Sequence, residues 1–340
     1  MRAARLSAYH APLELIDRPA PEITRPDQVL VRVGGAGVCA TDLHAIDGEM
    51  EPAGVTLPCQ LGHENAGWVT EVGELVSTVA VGDAVIVFPP YSCGLCVACR
   101  RGDDMHCDRS EFTGLTVDGG FAEQLLVSER QLVALPDGMD PAAVAPHADA
   151  GLTAYHAVRR VADRLTPGTT AAVVGVGGVG HIAVQLVREL GASRIVAVDP
   201  EPQRRALATE LGADEAVDAG ATAVQALGDL TGGRGADVVL DFVGSDATLA
   251  DAPALVARSG TYVMVGFGGM VQIPSIALVA QEASLAASLV GTWTDLYEVI
   301  ALHATGRISL RVETHPLDAI NHVLDRLRGG DIIGRAVLVP

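Results

Sequence analysis

Along the middle of the chain, short apolar runs alternate with amphipathic stretches. Thr170–Gly175 is an unbroken apolar run suited to a strand buried on both faces. From Val179 to Leu190, Ile182, Leu186 and Leu190 recur every fourth position, which predicts a helix with one apolar face. A second strand is expected over Arg194–Asp199. The alternation continues through Ala206–Leu211, Asp237–Phe242 and Thr261–Gly266. Such a rhythm predicts an α/β fold with a doubly wound parallel sheet.

The first third has a different texture. Gln28–Val33 and Asp83–Phe88 are short strand-like runs bounded by Gly, Pro and Asp. Pro12, Pro19, Pro21 and Pro26 interrupt the start. From about Gly291 the pattern changes again and ends in Arg335–Val339, a strand expected to return to the first domain. The expected division is therefore a β-rich domain over 1–148, a dinucleotide-binding domain over 149–290, and a C-terminal return over 291–340.

Composition narrows the class. With 340 residues, 49% of them hydrophobic, the chain can bury two cores. No apolar run reaches the roughly 18 residues of a membrane span, and the N-terminus lacks a secretory pattern, so a cytoplasmic protein is expected. The net charge of −19 argues against nucleic acid and anionic membranes as partners. An anionic cofactor would need local donors. The chain has no lysine; its basic residues are arginine.

Three motifs carry chemistry. Gly175-Val176-Gly177-Gly178-Val179-Gly180 lies between an expected strand and an expected helix, the context in which such glycines admit a pyrophosphate. Asp199 closes the following strand, where a carboxylate bonds the ribose hydroxyls of NAD and repels the 2′-phosphate of NADP. Capping a helix that starts near Pro200 is the alternative role for Asp199. Cys93, Cys96, Cys99 and Cys107 have the close loop spacing of one tetrahedral zinc with no open position, hence a structural site within 93–107. Cys39-Ala40-Thr41-Asp42-Leu43-His44, followed by Gly62-His63-Glu64, gathers thiol, imidazole, hydroxyl and carboxylates, the groups of an open zinc site with a proton carrier. Cys59 fits neither cluster and is expected to be a buried, inert thiol. Thr41 and Asp42 could equally cap a helix, and His44 could be a surface histidine.

With all three motifs in this order, the chain resembles the zinc-containing medium-chain alcohol dehydrogenases over essentially its whole length. The resemblance implies a GroES-like β-rich catalytic domain and a Rossmann domain. It implies two zinc ions per chain and NAD as cofactor. Asp149 sits where that family carries a zinc ligand, commonly cysteine; the aspartate is similar to a subgroup of bacterial NAD-dependent secondary-alcohol dehydrogenases. The implied catalytic zinc ligands are Cys39, His63 and Asp149, with His147 a competitor for the third. Thr41 and His44 would relay a proton, Asp42 would orient His63, and Glu64 could swing toward the metal. Thr153 is assigned to the nicotinamide, Val265 to the cofactor site, Arg204 to the adenosine ribose, and Arg335 to the pyrophosphate. Val55, Leu115 and Val290 are offered as substrate-pocket lining, with Trp68 and Trp293 as further candidates. The implied activity is oxidation of secondary or primary alcohols and its reverse, in a homotetramer or homodimer. A polyol or amino-alcohol dehydrogenase on the same scaffold, or an NAD-sensing zinc protein without turnover, are the alternatives.

Overall fold

The computed structural model describes residues Met1–Pro340. The chain divides into two compact units, Met1–Leu152 with Thr292–Pro340, and Thr153–Gly291. The first boundary falls four residues after the expected one. Asp149 and Ala150 belong with the first unit, where the Ala150 N–H donates to the buried Glu64 carboxylate at 3.1 Å.

The first unit is built on a seven-stranded sheet. Its strands lie in the order Val312–Pro316, Arg335–Val339, Gln28–Val38, Glu64–Val72, Ala84–Val87 and Leu132–Ala134, with Gln124–Ser128 also paired to Gln28–Val38. The C-terminal strand lies antiparallel to Gln28–Val38, with Ala336 opposite Val38. The strand beginning at Gln28 runs five residues past the expected end at Val33. Gly34, Gly35 and Gly37 hide its continuation from a pattern of apolar alternation. These small residues serve close approach: a Cβ on Gly37 would stand 2.0 Å from Glu64 Oε2. Register shifts between Leu30 and Val31, and between Val33 and Gly35, bend the sheet. Its core gathers Leu6, Val31, Leu61, Val85, Phe121 and Leu338, all nearly or wholly buried.

The second unit is a six-stranded parallel sheet in the order Glu215–Val217, Arg194–Val198, Thr170–Val174, Ala236–Asp241, Val256–Met264 and Ser284–Ala287. Every residue of Thr170–Val174 is buried, as its unbroken apolar run requires. The following helix spans Gly180–Leu190 and turns Ile182 and Leu186 fully inward. No helix is long and apolar enough to cross a membrane.

Gly37→Ala tests the crowding of the first sheet. The added methyl meets the immobilised Glu64 rather than a flexible chain end. The variant should lose about 1–3 kcal/mol of stability, read as a lower urea midpoint. An unchanged midpoint would show that the strand pair is looser than its geometry.

Candidate active site

The chain's own local structure assembles the first cluster. Cys39 stands at the N-cap of the helix Ala40–Ile46, and Asp42 at its third position returns a carboxylate oxygen to the Cys39 N–H at 2.9 Å. The other Asp42 oxygen faces His63 Nδ1 at 3.4 Å. One carboxylate thus both returns to the cap and faces His63. His63 directs its opposite nitrogen, Nε2, toward Asp149 Oδ2 at 3.6 Å, and the Cys39 sulfur lies 4.0 Å from that same oxygen. Cys39, His63, Glu64 and Asp149 present ligand atoms all within 4.8 Å of one another.

These separations fit a metal rather than hydrogen bonds. Zinc bonds of about 2.0–2.3 Å at tetrahedral angles place ligand atoms about 3.3–3.8 Å apart. His63 Nε2 is buried and has no hydrogen-bond partner, an arrangement that is costly unless a cation satisfies it. Burial opposes an imidazolium here, yet Asp42, Asp149 and Cys39 together raise the His63 pKa well above its ordinary value. The pocket therefore attracts positive charge. One thiolate, one carboxylate and a neutral imidazole would balance the 2+ charge of zinc.

Glu64 has a different set of partners. Fully buried, it accepts from the Ala150 N–H and forms an ion pair with Arg335. Burial raises its pKa and Arg335 opposes that rise. Where the resemblance implies a pyrophosphate partner for Arg335, the structure commits its Nη2 to Glu64. The physical reason is the cost of leaving a buried carboxylate without a countercharge. His147, two residues before Asp149, is fully buried and points Nε2 to His303 Nδ1 at 3.0 Å.

The Thr41 hydroxyl lies 3.8 Å from the Cys39 sulfur. His44, three residues on and so on the same helical face, is part-exposed and contacts the Glu49 carboxylate at 2.5 Å. Phe112 is an addition that sequence reasoning missed. Its ring centroid is 6.2 Å from that of His63, at a tilt of 60°. No periodic signal marks it, because the chain brings it back only after the cysteine lobe.

The substrate-pocket candidates fare differently. Val55 and Leu115 are packed into the hydrophobic core of the first unit, which is where their aliphatic side chains lose most water. Val290 is half-buried and has a left-handed backbone, φ 45°. Trp68 stacks under the Arg32 guanidinium at 4.2 Å. Trp293 donates to the Leu132 carbonyl at 3.1 Å and stacks on Tyr297.

The cysteine lobe closes on itself. Cys93 Sγ is 4.0 Å and Cys96 Sγ 3.4 Å from Cys99 Sγ, and all four cysteines are free of disulfides. The N–H groups of Leu95 and Cys96 both point at Cys93 Sγ from 3.4 Å and lower its pKa to about 6. Burial, then the Cys96 contact, pushes Cys99 up to about 12. Four sulfurs this close, some already favoured as thiolates, are the donor set of a tetrahedral zinc. Cys59 is buried elsewhere, its pKa raised by burial to about 11.

In the second unit, Gly175 has φ 84° and turns the chain from strand to helix. A Cβ on Gly180 would stand 1.8 Å from the Gly175 carbonyl, whereas one on Gly177 would meet nothing within 4 Å. The loop is thus closed against its own helix and open on the side a phosphate would approach. Gly178 and Val179 are half-buried beside it. Asp199 is buried, with Oδ2 accepting from Val176 N–H at 2.8 Å and Oδ1 from Glu201 N–H at 2.9 Å. It therefore braces both the glycine loop and the next helix start. Its oxygens retain lone pairs for a ribose. Arg205 donates to the Asp199 and Pro200 carbonyls, while Arg204 is half-buried beside it. Val265 donates to the Asp241 carbonyl at 2.8 Å. Thr153, on the helix Ala150–Arg159, is half-buried.

Residues 25–137 match the family model of the alcohol dehydrogenase GroES-like domain, and residues 178–305 that of the zinc-binding dehydrogenases. The chain is 35% identical to an NAD-dependent alcohol dehydrogenase of Sulfurisphaera tokodaii, with 100% of each chain covered. It is 36% identical to a D-arabinose 1-dehydrogenase (NADP(+)) of Saccharolobus solfataricus, covering 100% of this chain and 97% of that one. A crystal structure of the alcohol dehydrogenase from Aeropyrum pernix superposes with a TM-score of 0.97 at 44% identity, covering 100% of both chains.

Metal analysis of the purified chain should give two zinc ions. Cys96→Ser should leave one and lower the melting temperature; Asp149→Ala should leave one with the lobe intact. Full zinc content in Asp149→Ala would transfer the third ligand to His147 or Glu64.

Proposed function

The chain belongs to the zinc-binding dehydrogenases built on an alcohol dehydrogenase GroES-like domain, and from that premise we propose that it interconverts alcohols with ketones or aldehydes, using NAD. The observation that carries this reading is the convergence of Cys39, His63 and Asp149 beside the Thr41 hydroxyl. A zinc ion held by those three residues would act as a Lewis acid toward a hydroxyl or carbonyl oxygen. Bound NAD would supply the hydride acceptor.

The residues have distinct tasks. Asp42, facing Nδ1 of His63, would keep the proton there and leave the Nε2 lone pair facing the metal position. As hydride left the adjoining carbon for bound NAD and the carbonyl formed, the Thr41 hydroxyl would accept the proton of the substrate hydroxyl and release its own toward His44. His44, with Glu49 beside it, carries that proton to solvent. The reverse path reduces a ketone. Glu64 and Arg335 hold the Ala150 turn, and with it Asp149, in place.

Asp199 supports NAD over NADP, since its carboxylate would face a 2′-phosphate with like charge. The aromatic Phe112 beside His63 supports an apolar substituent on the alcohol, and so secondary or primary alcohols of that kind. An aldose or polyol is the second reading, favoured by the arabinose-oxidising relative.

A homotetramer assembled from dimers is the proposed assembly, with a homodimer as the alternative. Ser284–Ala287 is one of the two edge strands of the parallel sheet. Met270, Val271, Ile276, Val279 and Leu289, close to it in the chain, expose apolar surface. An open edge flanked by apolar side chains favours pairing with a second copy. The four reduced lobe cysteines support a cytoplasmic location.

NADH absorbance with a panel of secondary alcohols, primary alcohols, sorbitol and D-arabinose is the deciding experiment. Turnover should favour apolar secondary alcohols with NAD, and a chelator should abolish it. Asp199→Gly should narrow the preference for NAD. Thr41→Ala should lower kcat by about 10²–10⁴-fold with zinc content unchanged. A chain that transfers hydride to neither cofactor from any panel member would sink the assignment. Light scattering should report four copies, or two; a monomer overturns the assembly.

A further inference from the structure

Two strands of the parallel sheet lead into buried aspartates. Asp199 follows Arg194–Val198; Asp241 ends Ala236–Asp241. Asp241 is fully buried, and its carboxylate accepts four hydrogen bonds. Its Oδ1 accepts from Val243 N–H at 2.9 Å and Gly244 N–H at 3.1 Å. Its Oδ2 accepts from the Thr248 and Tyr262 hydroxyls, each at 2.8 Å. The Tyr262 hydroxyl also stands 3.0 Å from the Thr248 carbonyl.

These bonds restrain the loop beyond the strand rather than the strand itself. The ladder with Val256–Met264 is already made by backbone groups. The backbone carbonyl of Asp241 adds a second tie, accepting from the N–H groups of Val265 and Gly266 at 2.8 and 3.0 Å. Gly269 N–H then donates to the Gly244 carbonyl at 2.8 Å. One residue therefore fixes two loops, Phe242–Ser245 and Val265–Gly269. Both leave the C-terminal edge of the parallel strands, where open α/β sheets bind their ligands.

The first of these loops also meets the glycine fingerprint. The Val243 Cγ2 lies 2.5 Å from the place a Cβ would take on Gly175. Val243 is nonetheless 43% exposed and Phe267, on the second loop, 52% exposed. Apolar side chains held rigidly at the surface beside an open glycine loop suit a ligand that covers them. An aliphatic residue at 241 would fill the core without the cost of a buried carboxylate.

We propose that Asp241, Thr248 and Tyr262 form a positioning network that holds the Val243 loop against Gly175 in the geometry that binds the dinucleotide. The network acts through the loop, and the proposal rests on the dinucleotide reading of Gly175–Gly180. Asp199 performs the same service from the other side of Thr170–Val174, through Val176. The two carboxylates grip the two sides of one cradle.

The test uses the full-length, zinc-loaded chain with NAD as the probe in calorimetric titration and steady-state kinetics. Tyr262→Phe and Thr248→Val remove one hydroxyl each and keep the shape nearly unchanged. Each should raise the NAD Kd and KM about three- to tenfold. Saturated kcat, alcohol KM and zinc content should stay within about twofold of wild type. Leu227→Ala, in the same unit's core, serves as a control for general loosening. It should lower the melting temperature and leave the NAD Kd unchanged. NAD binding within twofold of wild type in both hydroxyl variants overturns the proposal, as does equal weakening in Leu227→Ala. A wild-type chain that binds neither NAD nor NADP overturns the dinucleotide reading itself, and the proposal with it.

Discussion

The first unit depends on how it compensates buried negative charge. Asp42, Glu64 and Asp149 are all buried close to the Cys39 thiol. A carboxylate taken from water without a partner costs several kcal/mol, so each must be answered. Asp42 is answered by the Cys39 N–H and faces His63. Glu64 is answered by Arg335 and the Ala150 N–H. Asp149 and Cys39, with His63, would be answered by a zinc ion held among them. These partners come from the helix at 40, the strand at 64, the turn at 149 and the strand at 335. The charge balance therefore also fixes the topology: moving any one of these segments strands a charge.

That requirement explains what could be read from the sequence and what could not. Local motifs were legible because their chemistry lies within a few residues. The Cys39–Asp42 cap, the glycine turn and the four-cysteine lobe each close over a short span. The parallel strands were legible because burial on both faces demands unbroken apolar runs, as in Thr170–Val174. Long-range partners were not. Nothing near Arg335 announces that Glu64 waits across the sheet, and only the antiparallel pairing of the last strand brings them together. Phe112 reaches His63 through an irregular segment with no periodicity. Val55 and Leu115 show the complementary difficulty. An aliphatic residue gives the same sequence signal whether it lines a pocket or fills a core, and both of these are buried among the core residues of the first unit.

The second unit faces a problem of opposite sign. A chain of net charge −19 must hold a cofactor that is itself anionic, and it has no lysine to help. The bulk field repels such a ligand, so attraction must come from donors within hydrogen-bond range. Backbone N–H groups at a helix N-terminus supply them, provided the loop is held open and still. Carboxylates are an unexpected means to that end. Asp199 and Asp241 take N–H groups of Val176, Val243 and Gly244 that would otherwise be unpaired inside the protein. By satisfying the inward donors, they let the loops settle in one conformation. Each aspartate's charge is stabilised by the donors that face it. In the proposed reading, order in the loop substitutes for positive charge on the surface.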